Sequence, residues 1–310
     1  MPIDAAPRTL EFIKSRRNAD GGWGYRLGGM SYVEPTAFAV LALHAGGEKA
    51  AAGPGLGFLR ACLDDTGAMR AAPSGPPESW MSYAGLLAFH QLGAEIEERR
   101  LSAWMLAFED ASKRLSPAEV EAIRKTYRYQ ASIPGWSWTR GTTAWVESTA
   151  LFIMALARTG VPASNPRIAA GVKLLIDRRS PRGGWSFGNP YNKSYEMPAT
   201  VLSTALSLLA LHAAGLSAED PAVAAGLRSL EQDLEGDGSI AGLAWSLVAF
   251  RAYRSGSLPV SRASQRLAGL RAADGGFRGN IFESALSWLA LKDPSPLSGA
   301  AGPDPQRRDP

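Results

Sequence analysis

One eight-residue block occurs six times, and this repetition limits what the chain can fold into more than any other feature. It reads TAFAVLAL at Thr36–Leu43, SYAGLLAF at Ser82–Phe89 and TALFIMAL at Thr149–Leu156. It returns as TALSLLAL at Thr204–Leu211, LAWSLVAF at Leu243–Phe250 and SALSWLAL at Ser284–Leu291. Successive copies end 46, 67, 55, 39 and 41 residues apart. A repeat at such periods means stacked supersecondary units, each unable to hide its apolar face alone. A second, Gly-rich block precedes most copies: DGGWGYR from Asp20, PGWSWTR from Pro134, GGWSFG from Gly183, GDGSI from Gly236 and DGGFRG from Asp274. Trp23 lies 13 residues before Thr36, Trp136 lies 13 before Thr149, and Met69 lies 13 before Ser82.

Between these blocks run amphipathic stretches with a charged face, such as NPRIAAGVKLLIDRRS and SRASQRLAGLRAAD. A helix apolar on every side must be surrounded by protein, whereas its amphipathic partner shows one face to water. Six such pairs bury every inner helix only if they close. The expected fold is therefore all-α, an (α/α)6 toroid of two concentric layers, with the N-terminal helix PRTLEFIKSRRN as outer partner of the sixth inner helix. The long second gap holds an extra charged helix, SPAEVEAIRKTYRYQ, whose Ser116-Pro117-Ala118-Glu119 order marks a helix start. The expected organisation is one domain over residues 1–292 and a disordered Pro/Gly/charge-rich tail over 293–310.

Charge narrows the function classes. The 33 basic and 29 acidic residues, net +4, are interleaved, which describes a solvated surface and not a nucleic-acid footprint. The only cysteine, Cys62, excludes an internal disulfide and a thiolate-rich zinc site. The start, MPIDAAPRTLEF, lacks the basic-then-apolar order of a secretory signal. The longest uncharged run, roughly Met197 to Leu216, carries Pro198, Thr200, Thr204 and His212, so no transmembrane segment is expected. A cytoplasmic protein follows.

The order of amphipathic helix, then Asp20-Gly21-Gly22-Trp23, then Glu34-x-Thr36-Ala37 resembles the QW-type repeats of squalene-hopene and other triterpene cyclases. The same toroid occurs in the β subunits of protein prenyltransferases, and the resemblance covers roughly residues 4–292. It implies a hydrophobic isoprenoid-type substrate in a central cavity, but fold alone does not fix chemistry. Class II cyclases of that family protonate their substrate with a D-x-D-D aspartate. Here the nearest string is Leu63-Asp64-Asp65-Thr66, which lacks the first Asp and falls in the loop register, where a turn with capping carboxylates is expected. The prenyltransferase zinc ligands are absent too: there is no D-x-C pair. His44, His90 and His212 each directly follow an inner block, where they read as caps of helix C-termini. No metal and no cofactor are expected.

Candidate site residues gather at the heads of the inner helices. Glu34 and Glu147 share the E-x-T-A register, with Glu196 and Glu283 close by and Glu78 at the start of the second helix. Such carboxylates either accept N–H groups at helix starts or serve as buried acids. Glu147 is the preferred acid, because Trp145 beside it lowers the local polarity. Tyr32, Trp80, Tyr83, Trp145, Tyr195, Trp245, Phe282 and Trp288 are the aromatic residues available to an apolar guest. Arg26 and Arg140, with Lys193 and Arg278, follow the Gly/Trp loops as a candidate positive rim. Three readings stand: an isoprenoid-processing cyclase- or prenyltransferase-like enzyme, a non-catalytic toroid that binds a lipid-like ligand or a partner protein, and a polysaccharide-active enzyme, which needs a more polar cleft than these helices offer. A centre with an apolar pocket of several hundred Å³ and a carboxylate in its wall fits an enzyme. A plugged centre fits a scaffold.

Overall fold

In the computed structural model, residues 6–236, 238–254 and 257–298 are described. In chain order the helices are α1 (Ala6–Lys14), α2 (Val33–Ala45), α3 (Lys49–Cys62), α4 (Ser82–Gln91), α5 (Glu95–Ala107) and α6 (Pro117–Tyr127). They continue as α7 (Val146–Arg158), α8 (Pro166–Asp177), α9 (Val201–Ala213), α10 (Pro221–Asp233), α11 (Ile240–Arg254), α12 (Leu258–Gly269) and α13 (Ile281–Lys292). The six Ala/Leu blocks lie in α2, α4, α7, α9, α11 and α13. Each packs on the next, and α13 packs back on α2, so the inner layer is a closed ring. α3, α5, α8, α10 and α12 cover their inner partners from outside, and α1 covers α13, as the periodicity predicts. No helix among the described residues is long and apolar enough to cross a membrane. Of the expected tail, residues 293–298 are ordered, with Leu297 buried in the core, and residues 299–310 lie outside the described residues.

The Gly/Trp loops tie the layers together by the same hydrogen bonds in successive repeats. The backbone N–H of Trp23, Trp136 and Trp185 donates to Thr36, Thr149 and Thr204 Oγ1 at 2.9, 3.0 and 3.0 Å. Phe277 does the same with Ser284 at 2.9 Å. The indole Nε1 of each tryptophan reaches a carbonyl on the preceding outer helix: Trp23 to Ile13, Trp136 to Met105 and Trp185 to Leu175. These groups are buried, so each bond offsets a desolvation that would otherwise cost about 1–3 kcal/mol. The ring then lies against a glycine of the following outer helix. A Cβ on Gly55, Gly171 or Gly226 would come within 2.9, 2.9 or 2.7 Å of the tryptophan's Cζ3.

At ~100° per residue the block positions sort by direction. The first and fifth face the outer layer, as the Thr36–Trp23 bond and the approach of Gly55 to Val40 require. The second and seventh lie on the flanks towards neighbouring inner helices. The seventh is alanine in all six copies (Ala42, Ala88, Ala155, Ala210, Ala249, Ala290), and the second is alanine in every copy but one, where Tyr83 stands. Small flanks let six helices approach closely around one axis. The third position points to the centre. There Phe38 of α2 meets Trp245 of α11, two helices away around the ring, with centroids 6.0 Å apart. Phe38 also contacts Tyr83 and Phe282 edge-on. Aromatic side chains thus enter the centre of the ring.

Ring closure rests on specific bonds between the two ends of the chain. Ile281 N–H donates to Tyr25 C=O at 2.9 Å, repeating what Val33 does with Ala71 and Val146 with Phe187. Three of the six inner helix heads, α2, α7 and α13, are thus satisfied by the next repeat's loop, and the sixth uses the first. Thr9 Oγ1 donates to Gly275 C=O at 2.8 Å. Gly275 has φ +91°, and a Cβ there would sit 2.5 Å from the carbonyl oxygen of Arg8. Only glycine accommodates both the left-handed backbone and the close approach.

Two segments break the repeat. The indole bond spans 10 residues for Trp23 and Trp185 but 31 for Trp136. The excess contains α6, which begins in the expected capping box: Glu119 N–H donates to Ser116 Oγ, and Ser116 N–H to Glu119 Oε2. The loop Trp-to-Thr bond spans 13 residues in the first and third repeats but 19 in the fourth. That excess forms an antiparallel hairpin, β1 (Tyr191–Asn192) with β2 (Tyr195–Glu196). The two insertions pack on each other.

Candidate functional site

Because the Gly/Trp loops bond to the first turn of the inner helices, and three heads also bond to the neighbouring loop, the loop aromatic residues gather over the helix heads at one end of the ring. Glu34, two residues before the first block, is 6% exposed and lies in this mouth. Its Oε2 accepts from Tyr25 OH and its Oε1 from Tyr83 OH, both at 2.6 Å. Burial pushes its carboxyl above the ordinary carboxylate range, against the lowering effect of the two phenols. The same desolvation, with the neighbouring carboxylate, pushes both phenols up. Both Glu34 oxygens are engaged, one by a loop and one by α4. The side chain ties the first repeat's loop to the second inner helix.

Glu147 occupies the same register on α7 and differs. Ser203 Oγ of α9 donates to its Oε1 at 2.7 Å, and among the described residues its other oxygen has no hydrogen-bond partner. Burial raises its carboxyl and the serine bond opposes that. Trp145 beside it is 39% exposed. In the same register of α4 stands Trp80, stacked on Tyr83 and edge-on to Trp138 with centroids 4.9 Å apart. Tyr32 lies against Tyr25, whose ring also meets Phe282. Tyr25, Trp138 and Phe187 were not among the expected site residues. They share one position, two after the loop tryptophan, and that register is the signal by which they could have been found.

Other expected site residues lie elsewhere. Glu196 is on β2, where Ser180 Oγ donates to it at 2.7 Å and Arg182 pairs with it at 3.3 Å; the hairpin inserted before α9 carries it off the helix head. Tyr195 on the same strand is exposed. Trp288 lies two turns along α13, too far along to reach the mouth, and Trp245 is buried across the centre. Glu283 follows the cap residue Asn280 and is half-buried; desolvation raises its carboxyl, while Arg278 and Arg26 lower it. Arg140 is paired with Glu78 at 2.6 Å, and Arg26 donates to Arg278 C=O at 3.2 Å with its charge acting on Glu283. Of the three histidines, His90 pairs with Glu98, His212 bonds to the backbone of Ala252 near the end of α11, and His44 and His212 keep a buried Nδ1 without a partner. Asp64 forms the expected turn, accepting from Thr66 and Ala68 N–H groups.

The sequence profile of the squalene-hopene cyclase C-terminal domain matches residues 93–255, more than half of the chain. The chain belongs to that family. No curated protein matches it. Among solved structures, a protein from Actinoplanes is 22% identical with TM-score 0.64, covering 93% of this chain and 97% of its own. The type II terpene cyclase MstE from Scytonema is 15% identical with TM-score 0.60, covering 95% and 98%. An alpha-amylase from Clostridium perfringens is 10% identical with TM-score 0.65, covering 94% and 99%. At such identities the likeness is one of fold. Within the squalene-hopene cyclase family, the present chain carries the toroid and its layer-tying loops without a D-x-D-D string.

Proposed function

We propose that the protein binds a hydrophobic, isoprenoid-type molecule at the mouth of its ring, and that Glu147 is the acid acting on it. The observation that carries this reading is a desolvated carboxyl with one oxygen uncommitted, next to a half-exposed indole, at the end of the ring where the loop aromatic residues collect. In its protonated form Glu147 would give its proton to an alkene carbon. The π electrons form the new C–H bond and leave a carbocation, which aromatic faces stabilise. The Ser203 hydroxyl stabilises the carboxylate left behind, and loss of a proton from a neighbouring carbon returns Glu147 to its starting state. Glu34, with both oxygens held, is a structural tie in this reading. A single ring domain ending near residue 292, working in the cytoplasm, completes the reading.

The test is Glu147→Gln, assayed with a polyprenyl substrate and by thermal melting. Loss of turnover at an unchanged Tm is the expected result. A lower Tm with turnover retained makes the residue a tie like Glu34. The second reading, a non-catalytic toroid carrying a lipid-like ligand or a partner protein, is favoured by the contact of Phe38 with Trp245 inside the ring, which narrows the centre. Native mass spectrometry of the purified protein separates the two: an isoprenoid carried and released unchanged supports the second.

A further inference from the structure

In a repeat protein the informative places are those where the repeat fails, because insertions collect on the face that binds. Here two independent failures, the helix α6 and the hairpin β1–β2, come from different repeats and meet. Between them lies a pocket of about 290 Å³ lined by Tyr127, Trp145, Phe187, Asn189, Asn192 and Met197. Phe187 is 50% exposed. One face of Trp145 is packed on the Gly188 backbone, where a Cβ would come within 3.0 Å of the ring. The side-chain amides of Asn189 and Asn192 make no hydrogen bond among the described residues. The pocket is thus an aromatic slot edged by two free amides, and none of its lining side chains is charged.

Directly beside it, between the end of α6 and the hairpin turn, is a shallow shelf lined by Lys125, Thr126, Arg128, Lys193 and Ser194. Lys125 has a loose pairing with Glu121 at 3.7 Å. Among the described residues Arg128 and Lys193 have no carboxylate partner, and Arg128 lies over the Tyr191 ring at 4.2 Å. Both adopt left-handed backbone, φ 57° and 56°, which a non-glycine residue holds only where its surroundings over-determine it. Two cations in left-handed backbone and without a carboxylate partner, one of them lying over Tyr191, therefore line the junction of the two insertions, next to an uncharged aromatic slot.

We infer that the cleft between α6 and the β1–β2 hairpin is a binding site for an organic phosphate, with its phosphate on Arg128 and Lys193 and its apolar or planar body against Trp145 and Phe187. The recognising chemistry is an anion joined to a flat or apolar group. A nucleotide and a phosphorylated lipid chain both have it. The site shares Trp145 and Phe187 with the mouth and so deepens that reading; its anion end, on Arg128 and Lys193, does not involve Glu147.

The full-length protein is titrated by calorimetry with AMP, with geranyl monophosphate and with inorganic phosphate, at low and at high salt. Binding of either organic phosphate at least tenfold tighter than inorganic phosphate, weakened by salt, is expected. The double variant Arg128→Gly, Lys193→Gly relieves the backbone strain while removing both charges, so it should fold at least as well and lose at least tenfold in affinity. Trp145→Ala should lose affinity for the organic phosphates and leave that for inorganic phosphate unchanged. Whichever of AMP and geranyl monophosphate binds names the source. Equal binding of all three phosphates, binding indifferent to the double variant, or no binding at all overturns the inference. The Arg128/Lys193 double variant leaves Glu147 and Trp145 in place, and Glu147→Gln leaves both cations in place, so loss of phosphate binding with turnover retained, or the reverse, separates the failure of one reading from that of the other.

Discussion

Thr149→Val tests the layer-tying loop at one atom. Thr149 is fully buried, and its Oγ1 is the acceptor for the Trp136 N–H at 3.0 Å. It also donates to Trp136 C=O at 3.2 Å, but that carbonyl receives Trp145 N–H at 3.0 Å and Ser148 Oγ at 2.6 Å as well. Valine keeps the shape and the β-branching, so neither packing nor helix preference changes much. What changes is that one buried N–H loses its partner while the carbonyl keeps two donors. An orphaned buried donor costs about 1–3 kcal/mol. For a chain of this size that lowers Tm by roughly 2–10 °C. Thr149→Ser retains the oxygen and removes one methyl, a loss of about 0.8 kcal/mol, and Ser284 already performs this task for Phe277. Differential scanning calorimetry with urea denaturation measures both variants. If valine is as stable as threonine, or serine is as damaging as valine, the hydrogen bond is not what holds the loop.

Glu34 gives a pH signature. Its folded-state carboxyl lies above the ordinary 4.5, so the folded chain keeps the proton longer than the unfolded one. The stability it contributes is complete below about pH 4.5 and is lost as pH rises through the raised value. Glu34→Gln should therefore gain on the wild type as pH rises above about 4.5; parallel urea-stability profiles for the two proteins would refute this. Gly226→Ala forces a Cβ to 2.7 Å from Trp185 and 3.1 Å from Leu208 and should cost about 1–3 kcal/mol. Gly57→Ala, on the exposed face of α3 with nothing within 4 Å, should stabilise by about 0.5–1 kcal/mol; melting curves that rank the two the other way contradict the packing. Phe38→Ala removes the ring that meets Trp245, costs about 3–5 kcal/mol and opens the centre. Added benzene should raise the Tm of this variant and leave the wild type unchanged, and no difference between them would mean that the centre collapses.

The sequence alone determined the helices, their layer and their closure. A stretch such as TALSLLAL has no water-facing side, and six of them leave a ring as the arrangement that hides all. The 13-residue register of Trp23 with Thr36 and of Trp136 with Thr149 likewise foretold one contact used repeatedly. Tertiary structure alone decided which acids are tied and which are free. Glu34 and Glu147 share a motif, yet Tyr83 reaches one across 49 residues and Ser203 the other across 56. It also decided which aromatic rings meet inside the ring, since Phe38 and Trp245 are 207 positions apart and become neighbours only when the ring forms. The meeting of α6 with the β1–β2 hairpin is of the same kind. Periodicity reports a helix's own faces, because they depend on a few residues either side. What a side chain touches across a ring depends on where every other repeat has placed its partners.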